Sequence, residues 1–222
     1  GATSVAEFRR EGFLPQALVN YLSLLAWSSP SGEEHLPRER LVREIDLSRV
    51  GRADAVFDRE KLRWLSHRYL QELSADELAE ALRPFLDRDR FPVPDSALPA
   101  LAGAVRERIS TLAEVNDHLQ HFTGPATPEQ REARARALAD PETARVLEAV
   151  RARLAALPEW EEGAVSAAIR EAGKEAGAKG RALFLPVRLA LSGEEHGPDL
   201  GRVAAVLGRE RTLGLLSSFD AP

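Results

Sequence analysis

The chain has no cysteine and no methionine, and no stretch approaches the roughly 20 apolar residues that span a bilayer. Its start shows no basic segment leading into an apolar one. Without cysteine there is no disulfide framework, no thiolate nucleophile and no thiolate metal site, which fits a reducing cytoplasm. The expectation is a soluble, unexported chain. The absent methionine points either to a processed chain that lost its initiator or to a piece of a longer one. Excess positive charge is lacking too: 30 Lys and Arg stand against 35 Asp and Glu, a net charge of -5. That excludes a uniform field drawing the whole molecule to nucleic acid or an anionic membrane, so any such contact must be local.

What is present is length and helical periodicity. The 222 residues are 44% hydrophobic, enough to bury a core as one large domain or as two or three small ones. Apolar residues recur at helical spacing almost throughout, and the punctuation marks helix ends rather than hairpins. Ser4-Val5-Ala6-Glu7 and Ser74-Ala75-Asp76-Glu77 are capping-box patterns, in which hydroxyl and carboxylate each satisfy a backbone donor. Thr127-Pro128 and Asp140-Pro141 pair a capping side chain with proline at the first helical position, predicting helices over 128–139 and 141–156. The segment 46–57 is the one stretch expected to be extended, and 95–109 and 111–122 are expected to form a helical pair. The strongest break is Thr123-Gly124-Pro125-Ala126-Thr127-Pro128, taken as a domain boundary. The fold class is all-α.

Chemistry-bearing residues are scattered. Of His35, His67, His118, His121 and His196, only His118 and His121 sit at i, i+3, and two ligands do not make a metal site. Glu33-Glu34, Glu161-Glu162 and Glu194-Glu195 fall in turns or near helix starts, where solvent exposure is the ordinary reason for them. The glycine-rich segment 172–180 lacks phosphate-loop spacing and lies between helices. No catalytic residues and no metal ligands are expected. Of the 30 cations, 27 are Arg, whose planar donor fork suits bases and phosphates; the nucleotide composition of the gene is an equal explanation. From residues alone, the reading ends at a helical binding or scaffold protein.

Four blocks carry a resemblance further. Gly1-Ala2-Thr3-Ser4-Val5 with the segment from Glu11 to Leu22 is similar to the stretch of bacterial glutamyl-tRNA synthetases that follows their lysine-rich ATP-site loop. Val56-Phe57-Asp58-Arg59-Glu60-Lys61-Leu62-Arg63-Trp64-Leu65, then Arg106-Glu107-Arg108-Ile109-Ser110-Thr111-Leu112, then Pro186-Val187-Arg188-Leu189-Ala190-Leu191-Ser192-Gly193 agree in order and spacing. The resemblance covers essentially the whole chain and implies the carboxy-terminal half of such an enzyme. It implies a stem-contact domain at 1–73 and two anticodon-binding subdomains at 74–126 and 127–222. The catalytic domain, with ATP and magnesium, would lie upstream. It further implies tRNA(Glu) and that missing domain as partners, no membrane, a monomer and a cytoplasmic location.

By the same resemblance Arg108 would read the last anticodon base, and Arg188 would hold neighbouring bases. Leu200 would offer an apolar platform, and Gly197 stands where a relative can carry a hydroxyl. Without it, Arg108 is better read as a solvated helix residue paired with Glu107 or Asp117, and Leu200 reads equally as helix-start packing. Lys61 is the candidate phosphate contact for the stem, and Trp64 is expected in the core. Three departures stand out: Ser66 for a usual Asn, Gly51-Arg52-Ala53-Asp54 for a Ser-Lys-Ser type sequence, and Val187 for Leu. The first two are expected to alter stem contacts. A helical protein–protein adaptor that keeps the shape without binding RNA is the competing reading, favoured by the net charge.

Overall fold

The structure, a computed structural model, describes residues 4–51, 56–91, 93–124 and 127–217. Residues 1–3, the departure at Arg52-Ala53-Asp54, Pro92 and the Pro125-Ala126 part of the break fall outside them. Among the described residues all regular secondary structure is helical and there is no strand. It divides into two compact units. One comprises Gly1–Leu86 with Val105–Val115, the other Asp87–Ala104 with Asn116–Pro222.

In the first unit the helices are α1 (Val5–Glu11), α2 (Pro15–Ala26), α3 (Arg38–Glu44), α4 (Arg59–Glu72) and α5 (Ala75–Leu82). Both serine capping boxes form: Ser4 Oγ accepts from Glu7 N, Ser74 Oγ accepts from Glu77 N, and each glutamate accepts from the serine's own N–H. The core lies between α1, α2 and α4, where Phe8, Phe13, Leu18, Tyr21, Leu62 and Leu65 cluster. Phe57 adds its ring to those of Phe8 and Tyr21 at 5.7 and 5.1 Å. A smaller cluster of Trp27, Leu36 and Leu41 seats α3.

Between these apolar groups lies one buried polar junction. Asn20 Nδ2 donates to Glu34 O at 3.0 Å, and its Oδ1 accepts from Leu36 N at 2.8 Å. The Tyr69 hydroxyl lies 3.0 Å from Asn20 Oδ1 and 2.8 Å from Leu36 O, so its single proton serves one of them at a time. Helices α2 and α4 and the loop before α3 are thereby joined by backbone groups that burial would otherwise leave unpaired.

Three expectations are corrected. The 46–57 segment holds a 3₁₀ turn at Leu47–Arg49, because Asp46 Oδ1 accepts from both Ser48 N and Ser48 Oγ and bends the chain locally. Trp64 is 45% exposed rather than buried: α4 turns Leu62, Leu65, Ser66, Tyr69 and Leu70 inward, and Trp64 falls off that face. Ser66 is fully buried and its hydroxyl finds no partner among the described residues, so that departure lies inside the fold rather than on its surface.

The second unit contains most of α6 (Leu98–Val105) and of the single-turn helix α7 (Val115–His118), followed by α8 (Pro128–Ala139), α9 (Pro141–Ala155) and α10 (Glu162–Glu175). Helices α11 (Arg181–Ser192), α12 (Leu200–Leu207) and α13 (Arg209–Leu216) complete it. Thr127 and Asp140 cap α8 and α9 as their Thr-Pro and Asp-Pro pairs predict. Helix α10 packs on α9 and α12, while α11 packs on α8, α9 and α13. Val146, Val150, Val165, Ile169, Val187 and Val203 fill the centre. Val187, the conservative departure, is core. The junction of α12 with α10 is tight at Gly201, where a Cβ would overlap Ser166 Oγ and the Glu162 carbonyl.

Two outcomes follow. Gly201→Ala should destabilise the second unit by roughly 2 kcal/mol or more, since a backbone carbonyl cannot yield as a side chain can; an unchanged denaturant midpoint would contradict that packing. Burial, with the charges of Glu72 and Glu39, pushes the Tyr69 hydroxyl up to about 12. Its raised value means the protonated form belongs to the folded state. The contribution is full below the ordinary tyrosine value of about 10 and is lost as pH rises from there towards 12. Stability measured from pH 9 to 12 should therefore fall less steeply in Tyr69→Phe than in the parent.

Candidate nucleic-acid interface

The segment around Arg108 shows how the first unit presents a cation. Residues 95–109 are expected to be one helix, yet α6 ends at Val105, and 106–108 form a turn. The turn is held from α4, where Arg63, His67 and Gln71 form a single i, i+4, i+8 stripe. Gln71 Nε2 donates to Arg106 O at 2.7 Å, and His67 Nδ1, in the tautomer that carries its proton there, donates to Ile109 O at 2.9 Å. Arg63 pairs with Glu114, whose other oxygen accepts from Ser110 N at 2.7 Å and Thr111 N at 3.3 Å. The backbone groups that would continue a helix are instead satisfied by side chains.

Burial would raise the Glu114 carboxyl, but the donors of Ser110, Arg63 and Thr111 outweigh it and hold the group below the usual carboxylate range. A further tie is Leu112 N to Gly12 O at 3.0 Å, beneath a glycine with φ +82 whose Cβ would lie 2.7 Å from Ala113 N. Residues 111–122 likewise break into a 3₁₀ turn, α7 and a second 3₁₀ turn rather than one helix.

With Ile109 fully buried, Arg108 points out. It is exposed, and its side chain has no hydrogen-bond or ion-pair partner among the described residues, neither Glu107 nor Asp117. Lys61, in the same unit, is already paired: its Nζ lies 2.5 Å from Glu34 Oε1.

Arg188, Gly197 and Leu200 belong to the second unit, where the structure brings them together. Arg188 Nη1 donates to Pro198 O at 2.7 Å, and a Cβ on Gly197 would lie 3.1 Å from that same nitrogen. Leu200 is buried at the start of α12, so its principal contacts are with the core, yet it borders a recess of about 300 Å³. Arg188, Phe184, Arg170, Ser166 and Asp199 also line that recess.

The loop closing it is braced. Glu194 accepts from Gln130 Nε2 at 3.1 Å and lies 2.7 Å from His121 Nδ1, while Asp199 Oδ1 accepts from Ser166 Oγ at 3.0 Å and Gly201 N at 2.8 Å. Burial lowers the Arg188 pKa, while Asp199 and Glu194 act against the shift. Those carboxylates offset its charge locally, which disfavours a phosphate and leaves the fork donors not used on Pro198 O suited to a neutral polar edge. Phe184 and Arg170 were missed in the sequence; the i, i+4 pairing of Phe184 with Arg188 was the available signal.

Gln71→Leu should leave the part-buried Arg106 O without its donor, at a cost of about 1 kcal/mol, and should speed amide exchange at Ser110 and Thr111. Protection at those amides equal to the parent would mean the α4 stripe does not hold the turn.

A family model described as an anticodon binding domain matches residues 77–217. Among curated proteins, the glutamate–tRNA ligase of Moorella thermoacetica is 38% identical over 222 residues, covering 97% of this chain and 45% of that protein. The glutamate–tRNA ligase of Nitrosospira multiformis is 38% identical over 216 residues, covering 96% and 46%. A crystal structure of a glutamate tRNA ligase from Elizabethkingia meningosepticum, in complex with its amino acid, matches with a TM-score of 0.72 at 25% identity, covering 97% of this chain and 44% of that one. The chain thus spans a little under half the length of the relatives it matches.

Proposed function

We propose, from the premise that this chain belongs to the anticodon binding domain family, that it is the tRNA-recognising part of a glutamate–tRNA ligase and reads the anticodon of tRNA(Glu). The observation that carries this reading is the outward, unpartnered guanidinium of Arg108 on a turn held by α4. Glutamate and glutamine anticodons differ in their last base, cytosine against guanine. Cytosine offers adjacent acceptors, O2 and N3, on its pairing edge, whereas guanine offers donors at N1 and N2. An unstacked loop base exposes that edge, and a guanidinium fork matches the first and repels the second. Arg188, beside Gly197 and Leu200, would hold a neighbouring base in the recess of the second unit, and Lys61 would exchange Glu34 for a stem phosphate.

ATP and magnesium would belong to the catalytic domain of such a ligase. The part played by this chain is recognition, through a stem-contact region at 1–73 and anticodon-binding regions at 74–126 and 127–222. We assign it as a monomer acting in the cytoplasm with tRNA(Glu) and that catalytic domain. No described helix is long and apolar enough to cross a membrane. The net charge of -5 favours the adaptor reading instead.

Filter binding at a stated salt concentration separates the two, since an anticodon reader prefers the glutamate over the glutamine transcript and an adaptor binds neither. Arg108→Gln should shrink the preference for cytosine-ending over guanine-ending anticodon stem-loops by about tenfold to a hundredfold, the value of roughly 1–3 kcal/mol for a bidentate base contact. An unchanged ratio would remove Arg108 from the reading site.

A further inference from the structure

Among its described residues the second unit leaves one large apolar side chain exposed, Phe184 at 38%. Helix α11 has an inward face for such a group: Leu183, Val187, Ala190 and Leu191 are all buried. Phe184 stands a third of a turn away from Leu183, at the recess with Arg188 one turn further on. Its ring has no aromatic or cation partner among the described residues, whereas Trp160 in the same unit is covered by Arg209 and donates to Ala204 O. An unpartnered ring face therefore sits beside a hydrogen-bonding fork, over a hollow floored by Leu200.

We infer that Phe184 is a stacking platform for one unstacked base of single-stranded loop RNA, whose polar edge then meets the Arg188 guanidinium. This rests on the anticodon-reading proposal above. A π face accepts any base, so the ring contributes affinity and orientation, while the edge contact contributes preference. A phosphate is a poor occupant, because Asp199 and Glu194 face the same guanidinium. The brace of Glu194 by His121 and Gln130 keeps the loop opposite the ring in place before RNA arrives, limiting the ordering cost on binding.

The test uses the 222-residue chain, anticodon stem-loops of the glutamate type, and 2-aminopurine at each loop position in turn. Phe184→Leu keeps apolar volume but loses the ring; being a surface change, it should leave the thermal midpoint within a few degrees. It should weaken stem-loop binding about tenfold, and the emission quenched by the parent at one loop position should stay bright. Phe184→Tyr should restore both affinity and quenching. If the parent binds the stem-loops but Phe184→Leu binds and quenches equally well, the platform is overturned and the anticodon reading survives. If the parent leaves every probe unbound, both are overturned together.

Discussion

One stripe of α4 side chains decides what the first unit can present. Arg63, His67 and Gln71 take up backbone and carboxylate groups of 106–114 that would otherwise pair along a helix. Tertiary hydrogen bonds thus compete directly with a helical ladder, and they succeed because Ile109 is buried at the same place. A helix carried on past 109 would need the Arg106 and Ile109 carbonyls to accept from Ser110 N and Ala113 N. The resulting turn leaves a guanidinium facing solvent with no ion-pair partner among the described residues. The clamp itself depends on α4 being seated by the Asn20–Tyr69 junction and by the phenylalanine cluster of α1 and α2.

Arginine elsewhere has a different task. In the second unit Arg134 donates to Leu215 O near the end of α13, and Arg145 to Ala176 O just past α10. Arg209 donates to Leu157 O after α9, and Arg211 to Thr123 O. These carbonyls are the acceptors a helix or 3₁₀ turn leaves open at its end, where a cation also meets the negative end of the macrodipole. Much of the arginine richness of this acidic chain therefore serves architecture. Arg108, exposed and without such a task, is distinguished by its surroundings rather than by its residue type.

The recess of the second unit works by compensation rather than by excess charge. Arg188 is held by a carbonyl and offset by two carboxylates, so its field is short-ranged and its directional donors dominate. Gly197 permits that closeness, and Gly201 lets α12 descend onto α10 so that Leu200 reaches the floor. An aromatic ring on one wall completes a recess whose shape and donors suit planar, neutral, polar groups.

The amino-acid sequence by itself determined the all-helical class and the caps at Ser4, Ser74, Thr127 and Asp140, because each is a contact among residues three or four apart. Family blocks in the sequence also named Arg108 and Arg188. Only the tertiary structure decided that α6 stops at Val105, that Ser66 is buried and Trp64 exposed, that Lys61 is already paired and that Phe184 lies open beside Arg188. Those outcomes rest on partners distant in the chain: the carbonyl that stops a helix can be claimed by a glutamine thirty-five residues away. Local periodicity contains no information about which distant donor reaches it first.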